Sequence, residues 1–479
     1  MSTHPLEELL HPKSIAIVGA SGNSNGRPVG FVSPLLDFDF KGKIYPVNPK
    51  YSKIAGLKTY ASVKDIPGTV EYVISAVPAN KVLDIMEDCS QKGVKVMHLF
   101  TARFSETGRQ DAADLEQEIL RQARKKGIRL IGPNCMGVYY PEERISWSSE
   151  FPRESGSVGL ISQSGNLALW LIPMAARRGV RFSKGISYGN AIDFNECDLL
   201  DFFSQDPSTK LIMMYLEGVR DGKRFFNTLR KVTPKKPIII LKGGQGKSGT
   251  RATASHTASL AGSMEIWETM ITQAGAVCAD TMDEIVDLAA SFYFLPQITG
   301  RKVGITGGAG GPSVLAADQC EEAGLDVIPL PEEIRQEIKS KGIAAWDWLG
   351  NPADRSIIGD DSLSTGDILQ MMARNQNFNL LIAMISAPYR IGRKEKLSAN
   401  THLKQYKLTE LNHKQLLTVV ADMSLGIDDY NNSSWKLMCE VRTKLVEANI
   451  PFYPTVERAA RAVSKLIDYY QKRDWNPST

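Results

Sequence analysis

The chain has 479 residues, of which 43% are hydrophobic and 23% charged, and its formal net charge is +4. These values are ordinary for a globular protein and exclude collagen-like and low-complexity chains. A charge this weak, without a run of basic residues, predicts no dedicated nucleic-acid surface. At roughly 150 residues per domain, the length predicts about three domains.

The six cysteines are scattered and form no C-x-x-C pair, and the six histidines form no H-x-x-x-H pair. This spacing predicts neither a metal site nor a disulfide framework, and it is typical of a cytoplasmic chain. The first residues lack a signal-peptide pattern. The longest apolar stretches have the length of a strand, so the sequence predicts no contact with a membrane.

Three segments share one pattern and begin at nearly equal spacing, at Ser14, Ser157 and Lys302. Each is a short apolar run that ends in a turn of small residues: SIAIVGASG, SVGLISQSG and KVGITGGAG. This pattern predicts the strand–turn–helix opening of a parallel sheet. We therefore predict an α/β fold of three consecutive doubly wound modules, at residues 1–145, 146–297 and 298–479.

Further apolar runs predict the remaining strands of each module. In chain order these strands are 43–47, 72–76, 95–99 and 129–131, then 211–216 and 237–241, then 326–329, 380–386 and 416–421. A helix is predicted over 110–126, since apolar residues recur on one face and Lys125, Lys126 and Gly127 end it. Proline-containing stretches near 141–152 and 296–300 are predicted linkers.

The first turn of small residues follows a strand, so its backbone N–H groups can hold a phosphate. A nicotinamide site also needs an acid at the end of the second strand, but Asn48 and Lys50 follow Val47 there. This favours a ligand with an additional ribose phosphate, either NADP or coenzyme A. A turn that only packs the strand against a helix is the alternative. The predicted ligand contacts of this region are Gly19, Ala20, Ser21, Gly22, Val47, Asn48 and Lys50.

Two more strand ends of the first module fall on the same edge of the predicted sheet, where ligands of open α/β sheets bind. Ala76, Val77 and Pro78 follow one strand, and Asn134 and Cys135 follow the other. We predict that these residues line the same ligand. An isolated cysteine is more typical of inert packing than of catalysis, so Cys135 is predicted to contact the ligand only.

In the second module, Ser164 and Gly165 are predicted to open a helix whose free N–H groups form a second phosphate site. The alternative is an ordinary serine N-cap. The glycine-rich segment that follows Leu241 is not a P-loop, because a P-loop needs glycine at that position.

His256 lies among small residues, where an imidazole is open to attack a phosphoryl or acyl centre. An ordinary surface histidine is the alternative reading of this position. Glu217 ends a strand of the same module, and its carboxylate can orient one imidazole nitrogen and leave the other free as the nucleophile. A solvated glutamate at a strand end is the alternative there.

Taken together, these segments resemble the NDP-forming acyl-CoA synthetases, the superfamily of succinyl-CoA synthetase and ADP-forming acetyl-CoA synthetase. The resemblance covers nearly the whole chain in order. The motifs that carry it are PKS at 12–14, GAS at 19–21, PVNP at 46–49, FSETG at 104–108, IGPN at 131–134, SQSG at 162–165, YLEG at 215–218, ASHT at 254–257, GGAGGP at 307–312 and NPAD at 351–354.

The resemblance implies a Rossmann-like CoA-binding domain followed by two flavodoxin-like ligase domains. It implies that His256 becomes a phosphohistidine, that Glu217 orients or stabilises it, and that Ser164 and Gly165 receive its phosphate. The implied reaction interconverts acyl-CoA, ADP and phosphate with a carboxylic acid, CoA and ATP through an acyl phosphate.

The chain departs from fused members of this family because no fourth segment is long enough for an ATP-grasp module. The resemblance therefore implies an alpha subunit that acts with a separate ATP-grasp beta subunit, which holds ATP or ADP and Mg²⁺, in an alpha2beta2 hetero-oligomer. Two other functions stay open: an inactive CoA- or acyl-CoA-binding regulatory protein and an NADP-dependent oxidoreductase. The identity of the small carboxylic acid is not predicted.

Overall fold

The computed structural model describes residues 4–22, 28–249, 264–358, 363–386, 398–408, 415–420 and 433–474. The chain divides into two compact units, residues 1–285 and 286–479. Two large sheets lie in the first unit and one lies in the second. None of the described helices is both long enough and apolar enough to cross a membrane.

Helices and strands alternate along most of the described chain. The helices are α1 (Pro5–Leu9), α2 (Val32–Asp37), α3 (Val82–Gln91), α4 (Gln110–Lys125), α5 (Gly165–Arg177), α6 (Glu196–Gln205), α7 (Gly222–Val232), α8 (Met264–Gln273), α9 (Met282–Phe294), α10 (Gly311–Glu322), α11 (Glu332–Ser340), α12 (Arg355–Ile358), α13 (Thr365–Arg374), α14 (Ala399–Lys404), α15 (Ser433–Glu447) and α16 (Val456–Asp474). The strands are β1 (Ser14–Val18), β2 (Ser21–Gly22), β3 (Pro28–Val29), β4 (Lys43–Val47), β5 (Lys53–Ile54), β6 (Leu57–Lys58), β7 (Tyr72–Ser75), β8 (Val96–Leu99), β9 (Arg129–Ile131), β10 (Gly137–Tyr139), β11 (Val158–Ser162), β12 (Phe182–Ser187), β13 (Leu211–Leu216), β14 (Ile238–Lys242), β15 (Val277–Ala279), β16 (Val303–Thr306), β17 (Leu380–Ile385), β18 (Gln415–Val420) and β19 (Phe452–Tyr453).

The two sheets of the first unit share one strand order. The first sheet runs β4-β1-β7-β8-β9 and is parallel throughout. The second runs β10-β12-β11-β13-β14-β15, and its only antiparallel pair is β10 with β12. In both sheets the opening strand lies between the second and third parallel strands, so the chain reverses its direction of winding there. The carboxyl edge at such a switch point is where open α/β sheets bind ligands.

The sheet of the second unit runs β16-β17-β18-β19 and is also parallel. The strand predicted at 326–329 is reduced to one bridge, between Lys302 and Asp326. The Asn351 side chain replaces part of the missing strand, because its amide donates to Val303 O and accepts from Ile305 N, both at 2.8 Å. Pro329 and Pro331 lack N–H groups, which explains why a regular strand does not continue through this stretch.

The stretch predicted as a linker at 141–152 is instead a packed turn. Tyr140 and Ile145 form a bridge, and the rings of Trp147 and Phe151 are buried against Tyr139. Burial of these aromatic side chains explains why the stretch is ordered despite its prolines. It also covers β10, which precedes residue 145 but belongs to the second sheet.

Candidate functional site

The turn after β1 passes very close to the end of β7. Gly19 has φ +87°, and a Cβ on it would lie 2.5 Å from the carbonyl oxygen of Ala76. Its N–H donates to Val47 O at 3.0 Å. Only glycine fits this position, since both the backbone angle and the close approach exclude a side chain. The turn thereby brings together Gly19, Val47 and Ala76, all predicted ligand contacts.

Asn48 ties the end of β4 to the same turn. Its Nδ2 donates to Ala20 O at 2.8 Å, and its Oδ1 accepts from the backbone N–H of Lys50 at 2.9 Å. A carboxylate at this position could accept but not donate, so it could not bond to Ala20 O. This is a structural reason for the amide where a nicotinamide site has an acid. The Lys50 side chain is exposed beside it.

The other predicted contacts of this edge are linked by Thr101, which follows β8 and which the sequence analysis missed. Its hydroxyl donates to Val77 O at 2.8 Å, and its carbonyl accepts from Asn134 N at 2.9 Å. A threonine directly after an apolar strand was the available indication. Pro78 opens a short turn, where its carbonyl accepts from Lys81 N at 2.9 Å. Ser21 and Gly22 leave the edge as β2, which pairs with β3.

Cys135 and His98 are buried below this edge. Burial raises the pKa of the Cys135 thiol, which disfavours the thiolate and with it nucleophilic chemistry. The Cys135 carbonyl lies 3.0 Å from His98 Nε2, which donates to it in the neutral imidazole. Burial also lowers the pKa of His98 to about 4. The two side chains therefore serve packing.

The end of β9 joins the first sheet to the second. Ile192 N donates to Gly132 O at 3.2 Å, and Asn190 N donates to Pro133 O at 2.9 Å. Met136 N donates to the Ser187 hydroxyl at 3.1 Å. We call residues 132–136 and 187–192 the seam. Two predicted CoA contacts, Asn134 and Cys135, lie within it.

The seam reaches the start of α5. A Cβ on Gly165 would lie 2.5 Å from Cγ of Met136, so the predicted phosphate residues adjoin the predicted CoA residues. Ser164 caps α5, since its hydroxyl accepts from Leu167 N at 3.3 Å. The first N–H groups of a helix have no acceptor within it and can bind an anion. Ser164 can therefore cap α5 while the N-terminus of the same helix binds a phosphate.

Glu217 directly follows β13 on the same edge and is partly buried. Its backbone N–H and that of Gly218 both donate to Oε1 of Gln163, at 2.7 and 3.2 Å. The Tyr215 hydroxyl donates to the Glu217 carboxylate at 3.4 Å. Lys242, which ends β14, donates from Nζ to Glu217 O at 2.6 Å. Neither Gln163, which lies within the SQSG motif, nor Lys242 was a predicted site residue, although both stand at strand ends beside predicted site residues.

His256 lies outside the described residues, in the segment 250–263. The described residue that follows β14, Gly243, lies next to the end of β13. Gly243 N donates to Leu216 O at 2.8 Å, and a Cβ on Gly243 would lie 2.5 Å from the Tyr215 hydroxyl.

The second unit repeats the strand–turn–helix pattern at its own sheet edge. Gly307 has φ +96°, and a Cβ there would overlap Met384 O. Asp354 accepts from Gly310 N at 2.7 Å and so fixes the turn that opens α10. The buried Ser313 hydroxyl, in the first turn of α10, has no hydrogen-bond partner in the described structure.

Among the described residues, no three His, Cys, Asp or Glu side chains converge on a position that could hold a metal ion.

Two family models match the chain: a CoA binding domain over residues 13–141 and a succinyl-CoA ligase like flavodoxin domain over residues 155–292. The alpha subunit of acetate–CoA ligase [ADP-forming] II from Pyrococcus furiosus is 37% identical over 80% of this chain and 83% of its own length. The alpha subunit of isoenzyme I from the same organism is 33% identical over 97% of both chains.

A solved structure of a dinucleotide-forming acetyl-coenzyme A synthetase 1 from Candidatus Korarchaeum cryptofilum, in complex with phosphate and ADP, superposes with a TM-score of 0.79. It is 31% identical and covers 98% of each chain. These similarities confirm the resemblance and the fold class predicted from the motifs. The chain belongs to the ADP-forming acyl-CoA synthetases, a family of acid–CoA ligases, and corresponds to their alpha subunits.

Proposed function

We propose that this chain is the alpha subunit of an enzyme that interconverts acyl-CoA, ADP and phosphate with a carboxylic acid, CoA and ATP, through an acyl phosphate and a phosphohistidine at His256. The observation that supports the proposal is the seam, because Met136, two residues after the predicted CoA contact Asn134, lies against the helix start at Gly165. Chemistry that passes from a thioester to a phosphate needs these two sites to adjoin.

In the first step, CoA lies along the edge of the first sheet. The turn at residues 19–22 contacts its phosphates, Asn48 holds the turn, and Lys50 adds a positive charge. The thioester reaches the seam, past Ala76, Val77 and Pro78. Inorganic phosphate is held at the N-terminus of α5 by Ser164 and Gly165. A phosphate oxygen attacks the carbonyl carbon, the C–S bond breaks, and CoA leaves as a thiolate that takes up a proton.

In the second step, a neutral imidazole nitrogen of His256 attacks the phosphorus of the acyl phosphate. The P–O bond to the acyl group breaks, and the carboxylate leaves as the free acid. Glu217 accepts a hydrogen bond from the other ring nitrogen, which orients the ring and stabilises the positive charge of the phosphohistidine. The N-terminus of α5 stabilises the phosphate dianion.

In the third step, a terminal phosphate oxygen of ADP attacks the phosphohistidine, so that ATP forms and the imidazole is restored. We assign the nucleotide and Mg²⁺ to a separate ATP-grasp beta subunit in an alpha2beta2 hetero-oligomer of the cytoplasm. Residues 1–145 then bind CoA, residues 146–297 carry the phosphohistidine, and residues 298–479 form a second ligase domain.

The test combines the chain with a candidate ATP-grasp partner, Mg²⁺ and γ-labelled ATP. We expect acid-labile, base-stable label on His256, none in His256→Asn, and less in Glu217→Gln. The matched control is His11→Asn, because His11 is a surface histidine bonded to Glu7 and Glu143. Label that survives in His256→Asn contradicts the mechanism. CoA binding without any labelling supports the regulatory protein, and NADP binding without CoA binding supports the oxidoreductase.

A further inference from the structure

Lys242 is a buried cation at the edge of the second sheet. The residue is only 8% exposed, and its ammonium donates to the backbone carbonyls of Glu217 and Gly243. The ring of Trp267 lies 5.7 Å from Nζ. Burial of an ammonium group is costly, and two carbonyl oxygens repay this only in part. An ammonium group in such a position points to a role for its charge.

Gln163 completes the arrangement from the opposite side. Its Oε1 accepts from the N–H groups of Glu217 and Gly218. The Glu217 residue is therefore bonded at its N–H by Gln163 and at its carbonyl by Lys242. Side chains aim accurately only when their own backbone is fixed, because a loose strand end changes the direction of the Cα–Cβ bond.

We propose that Gln163 and Lys242 form a clamp that fixes the backbone of Glu217 and so holds its carboxylate in place for the role assigned to it at the imidazole. Both act as positioning residues, since they work through Glu217. The inference rests on the proposed function, which gives Glu217 its role at the imidazole. It adds Lys242, which lies outside the motifs, and gives a role to Gln163, which lies inside the SQSG motif.

The charges around Glu217 agree with the clamp. Among the described residues, the titratable groups that interact with it include the hydroxyls of Tyr215 and Tyr188 and the ammonium of Lys242. Burial raises the pKa of both tyrosines, so their hydroxyls are neutral in the physiological range. Burial lowers the pKa of Lys242, and the Glu217 carboxylate opposes this shift. A positive charge here favours the ionised carboxylate, the form that accepts a hydrogen bond from imidazole.

Lys242 also fixes the start of the segment that leads to His256. The Gly243 carbonyl accepts from its ammonium, while Gly243 N donates to Leu216 O. The Lys242 side chain is thus bonded both to Glu217, at the end of β13, and to Gly243, the first residue after β14.

The experiment uses the full chain and phosphoramidate, which transfers its phosphoryl group to imidazole and releases ammonia, so that no partner is required. The rate of His256 labelling is measured for the natural chain, Lys242→Met, Glu217→Gln and the double variant, between pH 5 and pH 8. The matched control is Lys236→Met, because Lys236 also donates to two backbone carbonyls, those of Phe203 and Asp206, within the same sheet domain.

We expect Lys242→Met to slow labelling at least tenfold and to move the acid limb of the pH profile to higher pH. Lys236→Met should stay within twofold and leave the profile in place. In the Glu217→Gln background, Lys242→Met should cost less than threefold, because residues that act through one group are not additive. If Lys242→Met does not fold, Gln163→Met removes the other half of the clamp and should slow labelling at least fivefold.

Equal costs in both backgrounds, or equal effects of the two lysine variants, overturn the clamp and leave the proposed function intact. Glu217→Gln that labels as fast as the natural chain overturns both. Absence of label on His256 in the natural chain overturns the proposed function, and the clamp falls with it.

Discussion

The carboxyl edges of the first and second sheets have the same strand order but end their opening strands in different ways. After β1 the chain makes a glycine turn that is held down by Asn48, and it then leaves the edge as the short ribbon of β2 and β3. After β11 it enters α5 at once, with Ser164 as the cap. The first edge offers an extended line of contacts, whereas the second offers one helix start.

The comparison indicates that the strand order of a sheet determines where a ligand binds, whereas the turn after the opening strand determines which ligand fits. A long, jointed molecule such as CoA suits an edge with contacts from several strand ends. A compact phosphate suits a single helix N-terminus. The five predictions below test this division, beginning with the largest expected effect.

Gly19→Ala should destabilise the first edge by about 3 kcal/mol, since alanine is strained at this φ and its methyl group would overlap Ala76 O. CoA affinity should fall more than a hundredfold. Chemical denaturation and calorimetric titration measure the two effects. Gly93→Ala is the control, because its φ is +70° and no atom lies within 4 Å of the added Cβ. Equal losses of stability in both variants would show that the backbone angle alone, and not the close approach to β7, requires glycine at position 19.

The packing below the carboxyl edge of the first sheet, where His98 is buried, should lose stability in acid. The neutral form of His98 is favoured in the folded state, where its pKa is about 4 against 6.5 in the unfolded chain. Its contribution is therefore complete above pH 6.5 and is lost as the pH falls from 6.5 toward 4. We expect about 2 kcal/mol of stability to disappear between pH 7 and pH 5, as measured by urea denaturation, and His98→Asn to remove this dependence. An unchanged dependence in the variant would contradict the assignment.

Asn48→Asp should cost about 1–2 kcal/mol and weaken CoA binding about tenfold, because the carboxylate cannot donate to Ala20 O and repels the ligand's phosphates. Phosphorylation of His256 by phosphoramidate should be unchanged, since that reaction uses only the second edge. Asn48→Ala separates the lost hydrogen bonds from the added charge and should have the smaller effect on CoA. A slower phosphorylation would mean that the two edges are coupled.

Ser164→Ala should remove about 1 kcal/mol through the lost cap and should also slow His256 phosphorylation severalfold. Ser398→Ala is the matched control, because Ser398 caps α14 in the second unit by accepting from Thr401 N at 3.2 Å. We expect both variants to lower the melting temperature similarly and only Ser164→Ala to affect labelling. If labelling is normal in Ser164→Ala, the serine is a cap and nothing more.

Lys50→Glu should weaken CoA binding severalfold at low ionic strength, and the effect should shrink as salt is added, because an exposed charge is screened. Lys53→Glu makes the same charge change at an exposed position three residues further along the chain. Calorimetry at two salt concentrations compares them. Equal effects would show a general field rather than a local contact at the first edge.

The sequence was sufficient for the parts of the fold that local pattern determines. The strands at 14–18 and 158–162 and the small-residue turns after them follow from apolar runs and turn chemistry, and the structure has them at those positions. The missing strand at 326–329 could not be foreseen, because the side chain that replaces it, Asn351, lies more than twenty residues away. β10 was missed for a similar reason, since three residues on an edge are defined only by their partner β12.

At the candidate site, Gly19 and Glu217 directly follow a strand and Ser164 comes two residues after one, within distinctive motifs. Gln163 lies within the SQSG motif and Lys242 ends β14, but the role proposed for both depends on contact with Glu217. Thr101 is comparable, since it links Val77 to Asn134 across three strands. Such residues are found by asking what holds a functional group in place, a question that sequence spacing alone does not answer.

The seam also determines how this protein can be divided. The chain crosses from the first sheet to the second around residue 136. β10 then pairs with β12, and the carbonyls of residues 132–133 accept hydrogen bonds from the loop that follows β12. A fragment cut at residue 145 would carry an unpaired strand and leave an open sheet edge on its counterpart, and both are prone to aggregation. Gene fusions and deletions should therefore not be placed between the CoA-binding and ligase portions of the chain.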